Sequence, residues 1–463
     1  MLKPITCDVA VIGAGSAGLA AYRAAKAEGA RTLLIEAGPG GTTCARFGCM
    51  PSKLLLAAAR AARDADRAST FGIKTEGVVV HGRAVMARVQ RERDGFVADV
   101  LKEMSDIPAA DKVHGRARFA GPDTLTVDDH TLITAGAIVI ATGARPVVPQ
   151  DLRDACQERV VTHETVFDLE TLPRTLAVIG AGPLGLELAL AFSRLGVKTT
   201  LFDEGDRIGA VRDPVVASAV RETFEQALKL ELGVHVQAKR KADGDILLSW
   251  TDQGKARRGT FEYVLDAAGR APAVDHLDLN LTGLPLGDTG VPTFDAQTLR
   301  CGASSIFIAG DVNDARPVLH EASLQGELAG RNAARRRRRR LQKRDPMPSL
   351  AIVYSDPDIA AVGAPWDEEA ARDWVIGCSA DVGRARVDAK TPGVLRLYAD
   401  AGSGALIGGE MFGPDVEHLA HLLAWAVQLS LTAKDVLALP FYHPTVEEGL
   451  RTALRDIADQ GSR

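Results

Sequence analysis

The chain has 463 residues, 46% apolar and 25% charged, which is enough for about three domains of ordinary size. The 55 Lys and Arg against 60 Asp and Glu leave a net charge of −5, which excludes an overall basic nucleic-acid footprint. No stretch reaches the roughly 18 uninterrupted apolar residues of a membrane helix, and 6 cysteines in so long a chain cannot be the disulfide framework of a small secreted domain. The N-terminal residues run into a strand-like segment with no apolar leader, so the expectation is a cytoplasmic protein without a membrane anchor.

The first predicted element is a strand over residues 8–12, followed by the turn Gly13-Ala14-Gly15-Ser16-Ala17-Gly18. An Ala-rich helix over 19–29 comes next, then a strand over 32–35 that ends on Glu36. The segment Cys44-Ala45-Arg46-Phe47-Gly48-Cys49-Met50-Pro51-Ser52-Lys53 follows, and residues 52–67 have helical composition. Pro51 suits the first turn of that helix, whose N-terminus favours Cys49 as a thiolate. Gly48 offers the backbone freedom to bring the two cysteines within disulfide reach. This setting favours a redox disulfide; half of a zinc site and two unrelated buried cysteines are the alternatives, and no second Cys or His pair sits nearby. Cys7, Cys156, Cys301 and Cys378 are scattered singly and read as structural.

A strand over 137–140 runs into Ala141-Thr142-Gly143. The order strand, glycine turn, helix, strand, acid then recurs: a strand over 176–179, the turn Gly180-Ala181-Gly182-Pro183-Leu184-Gly185, a helix to residue 196, and a strand over 199–202 ending on Asp203. Each acid lies 23 residues after the first glycine of its own turn. In such a unit the first glycine makes the tight turn, the second admits a pyrophosphate, the third packs helix on strand, and the acid accepts hydrogen bonds from a ribose. One copy is a weak signal. Two copies with one spacing predict two bound dinucleotides rather than two ordinary turns of a parallel sheet.

Glu187 interrupts an apolar run over 184–190, where a carboxylate is costly unless paired, and Lys53 leads into Leu54-Leu55-Leu56. The alternative has Glu187 pointing to solvent from one helix face. A strand over 263–266 leads into Ala267-Ala268-Gly269-Arg270, and one over 306–309 into Gly310-Asp311. The helix predicted over 319–341 closes with six arginines, Arg335 to Arg340, which read as a solvated face or interaction tail. Nucleic-acid binding there lacks the interleaved aromatic residues it would need. After a linker at 345–348, the final portion mixes strands, such as 394–398, with helices over 416–429 and 446–457. It holds His443-Pro444-Thr445-Val446-Glu447-Glu448, in which Thr445 and Glu448 have the spacing of a capping box.

Together these motifs resemble the flavin-dependent pyridine nucleotide–disulfide oxidoreductases over essentially the whole chain, and within that group they look most like the dihydrolipoamide dehydrogenases. The resemblance implies an α/β fold of two Rossmann-like dinucleotide-binding domains and an α+β C-terminal dimerisation domain. The FAD domain would span 1–150 and 273–345, the NAD domain 151–272, and the homodimer interface 346–463. FAD would be held by Gly13, Gly15, Ser16, Ala17, Gly18, Glu36, Lys53, Gly115, Ala141, Thr142, Gly143, Gly310 and Asp311, with Pro317, Val318, Leu319 and His320 helping to enclose the flavin. NAD would be held by Gly180, Gly182, Pro183, Leu184, Gly185, Glu187, Asp203 and Gly269.

The same resemblance assigns roles. Lys53 and Glu187 pair beside the flavin where nicotinamide lands. A dithiol attacks the Cys44–Cys49 disulfide at Cys44, and Cys49 passes electrons to FAD. His443 is the acid–base for the thiols of the other subunit, and Glu448 orients its imidazole. No metal is implied. The implied substrate is a lipoyl group, with a 2-oxo acid dehydrogenase complex as a candidate partner and neither nucleic acid nor membrane. Asp203 repels a 2′-phosphate, and Glu204 and Gly205 offer no arginine, so NAD is expected over NADP, although Arg207 is near. Three departures bear on the disulfide substrate: Gly41-Thr42-Thr43-Cys44 in place of Gly-Gly-x-Cys, Arg46 and Phe47 between the cysteines, and Phe441 where a second histidine is common. A reductase of a glutathione-like disulfide or another acceptor is the alternative. No cysteine pair follows Cys378 to support metal-ion or thioredoxin reduction.

Overall fold

The structure is a computed structural model that describes residues 2–335, 340–380, 383–390 and 393–461. It falls into two compact units. One comprises Met1–Pro51, Gln90–Val147 and Gly269–Pro346; the other comprises Ser52–Val89, Val148–Ala268 and Met347–Arg463.

The first unit is built on a seven-stranded sheet. Strands Lys112–His114, Thr32–Glu36, Lys3–Ile12 and Thr131–Ile140 lie side by side in parallel. The long strand Thr131–Ile140 pairs in parallel with Ile306–Ile308 through its last three residues, and antiparallel with Thr124–Val127 through its first. Both faces of the parallel part are covered. Val9 and Val11 join a cluster with Leu34, Val139 and Phe307, while Ala10 and Ile12 join another with Leu33, Ile35 and Ile138. That explains why residues 9–12 read as a continuous apolar run rather than an alternating one. Each buried Val or Ile contributes about 2 kcal/mol.

Among the described residues, the second unit carries three sheets. A parallel one runs Lys229–Leu232, Lys198–Asp203, Thr175–Ile179, Tyr263–Asp266, Val160–Val161, and a three-stranded antiparallel one covers residues 237–261. A five-stranded antiparallel sheet runs Leu350–Val353, Asp358–Gly363, Leu406–Gly413, Val394–Asp400, Trp374–Ser379, and helices Val416–Gln428 and Glu447–Gln460 share its apolar cluster.

Some predicted bounds move for identifiable reasons. The first strand begins at Lys3, because residues 3–7 pair with Thr131–Ala135. The helix expected over 319–341 is Leu319–Ala334, with Arg335 as its C-cap. Arg335 turns its guanidinium onto Glu28, with Nε 2.6 Å from Oε2; Arg336 to Arg339 lie outside the described residues. Among the described residues, no helix is long and apolar enough to cross a membrane.

Candidate functional site

In the first unit, strand Lys3–Ile12 ends at Gly13, whose φ of +100° is in the range that favours glycine. Helix Ser16–Ala27 starts behind it with Gly15 as N-cap and no side-chain cap on its amides. A Cβ on Gly18 would collide with the Gly13 carbonyl oxygen, whereas one on Gly15 would meet nothing within 4 Å. Glu36 is fixed by the same turn: Ala14 N–H donates to one carboxylate oxygen at 2.6 Å and Gly38 N–H to the other at 2.7 Å. A cleft of about 420 Å³ is lined by Gly13, Gly15, Glu36, Gly115, Ala141, Thr142 and Gly143. Thr142 Oγ1 donates to the Ala273 carbonyl at 2.8 Å, and Gly115 N–H to the Glu36 carbonyl at 2.9 Å. Gly310, Asp311 and Pro317 to His320 belong to the same unit but do not line this cleft. Asp311 accepts from Arg270 Nη1 at 2.7 Å.

The second turn repeats the first. Gly180 has φ +107°, a Cβ on Gly185 would collide with the Gly180 carbonyl oxygen, and one on Gly182 would meet nothing within 4 Å. Helix Pro183–Arg194 has Gly182 as N-cap, again without a side-chain cap. Ala181 N–H donates to Asp203 Oδ2 at 2.6 Å and Gly205 N–H to Oδ1 at 2.7 Å. A cleft of about 380 Å³ is lined by Gly180, Asp203, Glu204, His235, Asp266 and Ala268. Pro183, Leu184, Gly185 and Gly269 are not part of its wall. Burial pushes the Asp266 carboxyl above the usual carboxylate range, opposed by a hydrogen bond from Ala268 N–H. Each turn therefore offers an uncapped helix N-terminus, an open backbone approach and an oriented carboxylate, which is what a dinucleotide's pyrophosphate and ribose require.

Glu187 does not face solvent. It is 3% exposed, and Lys53 Nζ lies 2.8 and 3.1 Å from its two oxygens. Tyr354 N–H also donates to Glu187 Oε1 at 2.9 Å, and the Tyr354 ring sits 4.5 Å from Lys53 Nζ. Sequence reasoning missed Tyr354. An aromatic residue ahead of Ser355-Asp356-Pro357 signals a turn after a strand, but not what the turn touches.

Cys44 lies in the short helix Thr43–Arg46, capped by Thr42 Oγ1 accepting from Ala45 N–H at 3.3 Å. Cys49 is the first residue of helix Cys49–Asp66 and is exposed, while Cys44 is half-buried. Phe47 and Gly48 N–H groups both donate to the Thr43 carbonyl at 2.8 Å, which folds the segment back on itself. Gly48 lies outside the left-handed region. Its contribution is space, since a Cβ there would stand 3.7 Å from the Cys44 Cα and 3.3 Å from the Thr43 carbonyl oxygen.

In the second unit, His443 Nδ1 lies 3.0 Å from both oxygens of Glu448. The imidazole is 80% exposed. Only half of the expected capping box forms: Thr445 N–H donates to Glu448 Oε2 at 3.4 Å, but the Thr445 hydroxyl donates to the Tyr442 carbonyl at 3.0 Å instead of capping, and Val446 is the N-cap of helix Glu447–Gln460. The hydrogen bond from His443 holds the Glu448 carboxyl below its usual range. A depressed carboxyl favours this contact above the ordinary glutamate pKa, and the advantage is lost as pH falls through the lowered value.

Residues 7–326 match the model of the pyridine nucleotide-disulphide oxidoreductases, and residues 349–454 match the dimerisation domain of the same group. Among curated proteins, the chain is 30% identical to a dihydrolipoyl dehydrogenase from Haloferax volcanii over 98% of this chain and 96% of that one. It is 29% identical to the dihydrolipoyl dehydrogenase of Halobacterium salinarum, over 96% and 95% of the two chains. It is also 32% identical to a mercuric reductase from Shigella flexneri, over 96% of this chain and 80% of that one. Among solved structures, the HOCl-induced flavoprotein disulfide reductase RclA from Escherichia coli shares the fold, with a TM-score of 0.80 at 23% identity over 97% of this chain and 99% of that chain.

Proposed function

The chain belongs to the pyridine nucleotide-disulphide oxidoreductase family, whose cofactors are FAD and a nicotinamide nucleotide, and from that premise we propose a homodimeric dihydrolipoyl dehydrogenase that uses NAD. In this reading residues 1–150 and 273–345 hold FAD, 151–272 hold NAD, and 346–463 form the dimer interface. The observation that carries the reading is the His443–Glu448 contact. With both carboxylate oxygens at Nδ1, Nε2 is the nitrogen left to take a thiol proton.

The chemistry then derives from the chain's own side chains. His443 of the partner subunit takes the proton of one lipoyl thiol as its sulfur attacks Cys44 Sγ, forming a mixed disulfide and breaking the Cys44–Cys49 bond, so that Cys49 leaves as thiolate. The second lipoyl sulfur then displaces Cys44 Sγ from the mixed disulfide, closing the substrate disulfide, and its proton passes to the departing Cys44. The N-terminus of helix Cys49–Asp66 favours Cys49 as the anion. Bound FAD would supply the two-electron relay between the thiols and the nicotinamide. Lys53, fixed by Glu187, supplies a positive charge for that transfer, while Glu36 and Asp203 hold the two riboses. Asp311 would serve the ribityl chain, and residues 317–320 would help to enclose the flavin.

A second reading, NADH-driven reduction of another acceptor, draws on the mercuric reductase at 32% identity and on Arg46 and Phe47 between the cysteines. A steady-state screen separates the two. NAD reduction by dihydrolipoamide should exceed that by reduced glutathione in kcat/KM by about a hundredfold or more. A larger kcat/KM for NADH oxidation with glutathione disulfide or Hg(II) than with lipoamide would replace the first reading by the second.

A further inference from the structure

The turn after strand Leu350–Val353 is built more heavily than a strand connection requires. Ser355 N–H donates to the Val353 carbonyl at 2.9 Å, so Tyr354 is the central residue of a three-residue turn. The Ser355 hydroxyl, fully buried, donates to the Pro357 carbonyl at 2.7 Å. Two arginines clamp this turn. Arg194 donates to the Ser355 carbonyl at 2.9 Å and also to the Asp356 carbonyl. Arg63 Nη1 lies 2.8 Å from the Asp356 carbonyl and 2.7 Å from its carboxylate. The Arg194 side chain is 11% exposed, and that burial pulls its guanidinium down to about 10.

The clamp and the Lys53–Glu187 pair share their supports. Arg194 stands two helical turns beyond Glu187 on helix Pro183–Arg194, and Arg63 stands about 15 Å along helix Cys49–Asp66 from Lys53. Each helix gives one member of the pair and one arginine that holds the turn. Tyr354 touches both members, by its amide on Glu187 and its ring face against Lys53. Glu187 alone fixes how far the ammonium is from one side; it leaves a four-carbon stem free to swing about that contact. A ring face on a second side removes the swing.

We infer that Tyr354 is a positioning residue, whose amide and ring together set the direction in which the Lys53 ammonium points. The inference rests on the proposed role of Lys53 and Glu187 in electron transfer to nicotinamide. Loss of the ring should therefore slow that transfer without weakening nucleotide binding.

Rapid-mixing reduction of the bound flavin by NADH, on the holoenzyme, is the test. Tyr354→Leu should lower the limiting rate about tenfold while the Kd for NADH stays within about twofold, and Tyr354→Phe should recover most of the rate. In a Lys53→Met background, Tyr354→Leu should change the rate by less than about twofold, because the ring acts through Lys53. An equal loss in both backgrounds, or no loss in Tyr354→Leu, overturns the inference. If Lys53→Met alone leaves flavin reduction unchanged, the role of the pair fails and the inference falls with it. If Lys53→Met is slow while Tyr354→Leu is fast, the inference alone fails. Tyr354→Met gives the same cycle through a second truncation should the leucine protein not retain flavin.

Discussion

In the turn after residue 12, Ala14 N–H donates to Glu36 at 2.6 Å; in the turn after residue 179, Ala181 N–H donates to Asp203 at the same 2.6 Å. Both turns open with a glycine at positive φ, and both close with a glycine whose Cβ would strike the first one's carbonyl. The differences lie outside that shared frame. The acid is one methylene shorter in the second copy, Pro183 rather than Ser16 begins the helix, and the second cleft collects Glu204, His235 and Asp266 around Asp203. The frame is thus a steric demand met twice, and in the proposed reading nucleotide choice would reside in side chains that the frame leaves free to vary.

Substituting the third glycines should have the largest effect. Alanine for glycine inside a helix normally stabilises by up to about 1 kcal/mol. Gly18→Ala and Gly185→Ala should instead destabilise by about 3 kcal/mol, since the obstacle is backbone rather than the end of a flexible side chain. Urea unfolding with tryptophan and circular dichroism readouts measures this, and a stabilised variant at either site would break the equivalence of the two turns.

The second glycines separate fold from cofactor. Gly15 and Gly182 have φ of −74° and −65° with extended ψ, so alanine fits there without strain. Gly15→Ala should keep its thermal midpoint as apoprotein but purify without flavin. Gly182→Ala should remain yellow and show a KM for NADH raised about a hundredfold, because its Cβ would occupy the proposed pyrophosphate approach. Loss of flavin from both variants would mean that the two turns do not serve separate nucleotides. Asp203→Ala is the next smaller step. Loss of a charged acceptor for the ribose hydroxyls, worth about 2 kcal/mol, should lower kcat/KM for NADH roughly thirtyfold and spare NADPH. An equal fall for both nucleotides would assign Asp203 to holding the turn alone.

What could be read from the sequence was what is set by local sterics. Gly13, Gly15, Gly18 and their counterparts announce themselves because each need is met within one turn and the helix length fixes the acid 23 residues on. Glu187 could be marked as needing a partner from the cost of burying a carboxylate. What escaped detection was set by distant chain. The first strand gains residues 3–7 only because Thr131–Ala135 lies beside it, and helix Leu319–Ala334 stops short although its composition continues. Tyr354 acquires its surroundings from the segments around 53, 187 and 355, so no window of sequence displays it.

The smallest effect concerns Glu204. It stands beside Asp203 in the second cleft, with His235 Nδ1 2.6 Å from its Oε1, and the two side chains are 75% and 67% exposed. Such an exposed pair contributes under about 1 kcal/mol to folding, so Glu204→Gln should leave the unfolding midpoint where it was. Its charge matters for discrimination instead. A 2′-phosphate arriving at Asp203 would meet a second carboxylate through water, a repulsion of about 1 kcal/mol at most. Glu204→Gln removes that repulsion while its amide oxygen can still accept from His235. The ratio of kcat/KM for NADPH to that for NADH should rise about threefold at low salt, and the gain should shrink at about 1 M salt, where the screening length is near 3 Å. An unchanged ratio at low salt would leave Asp203 as the sole determinant of nucleotide choice. A rise beyond about tenfold would make Glu204 the dominant one and end the parallel between Asp203 and Glu36.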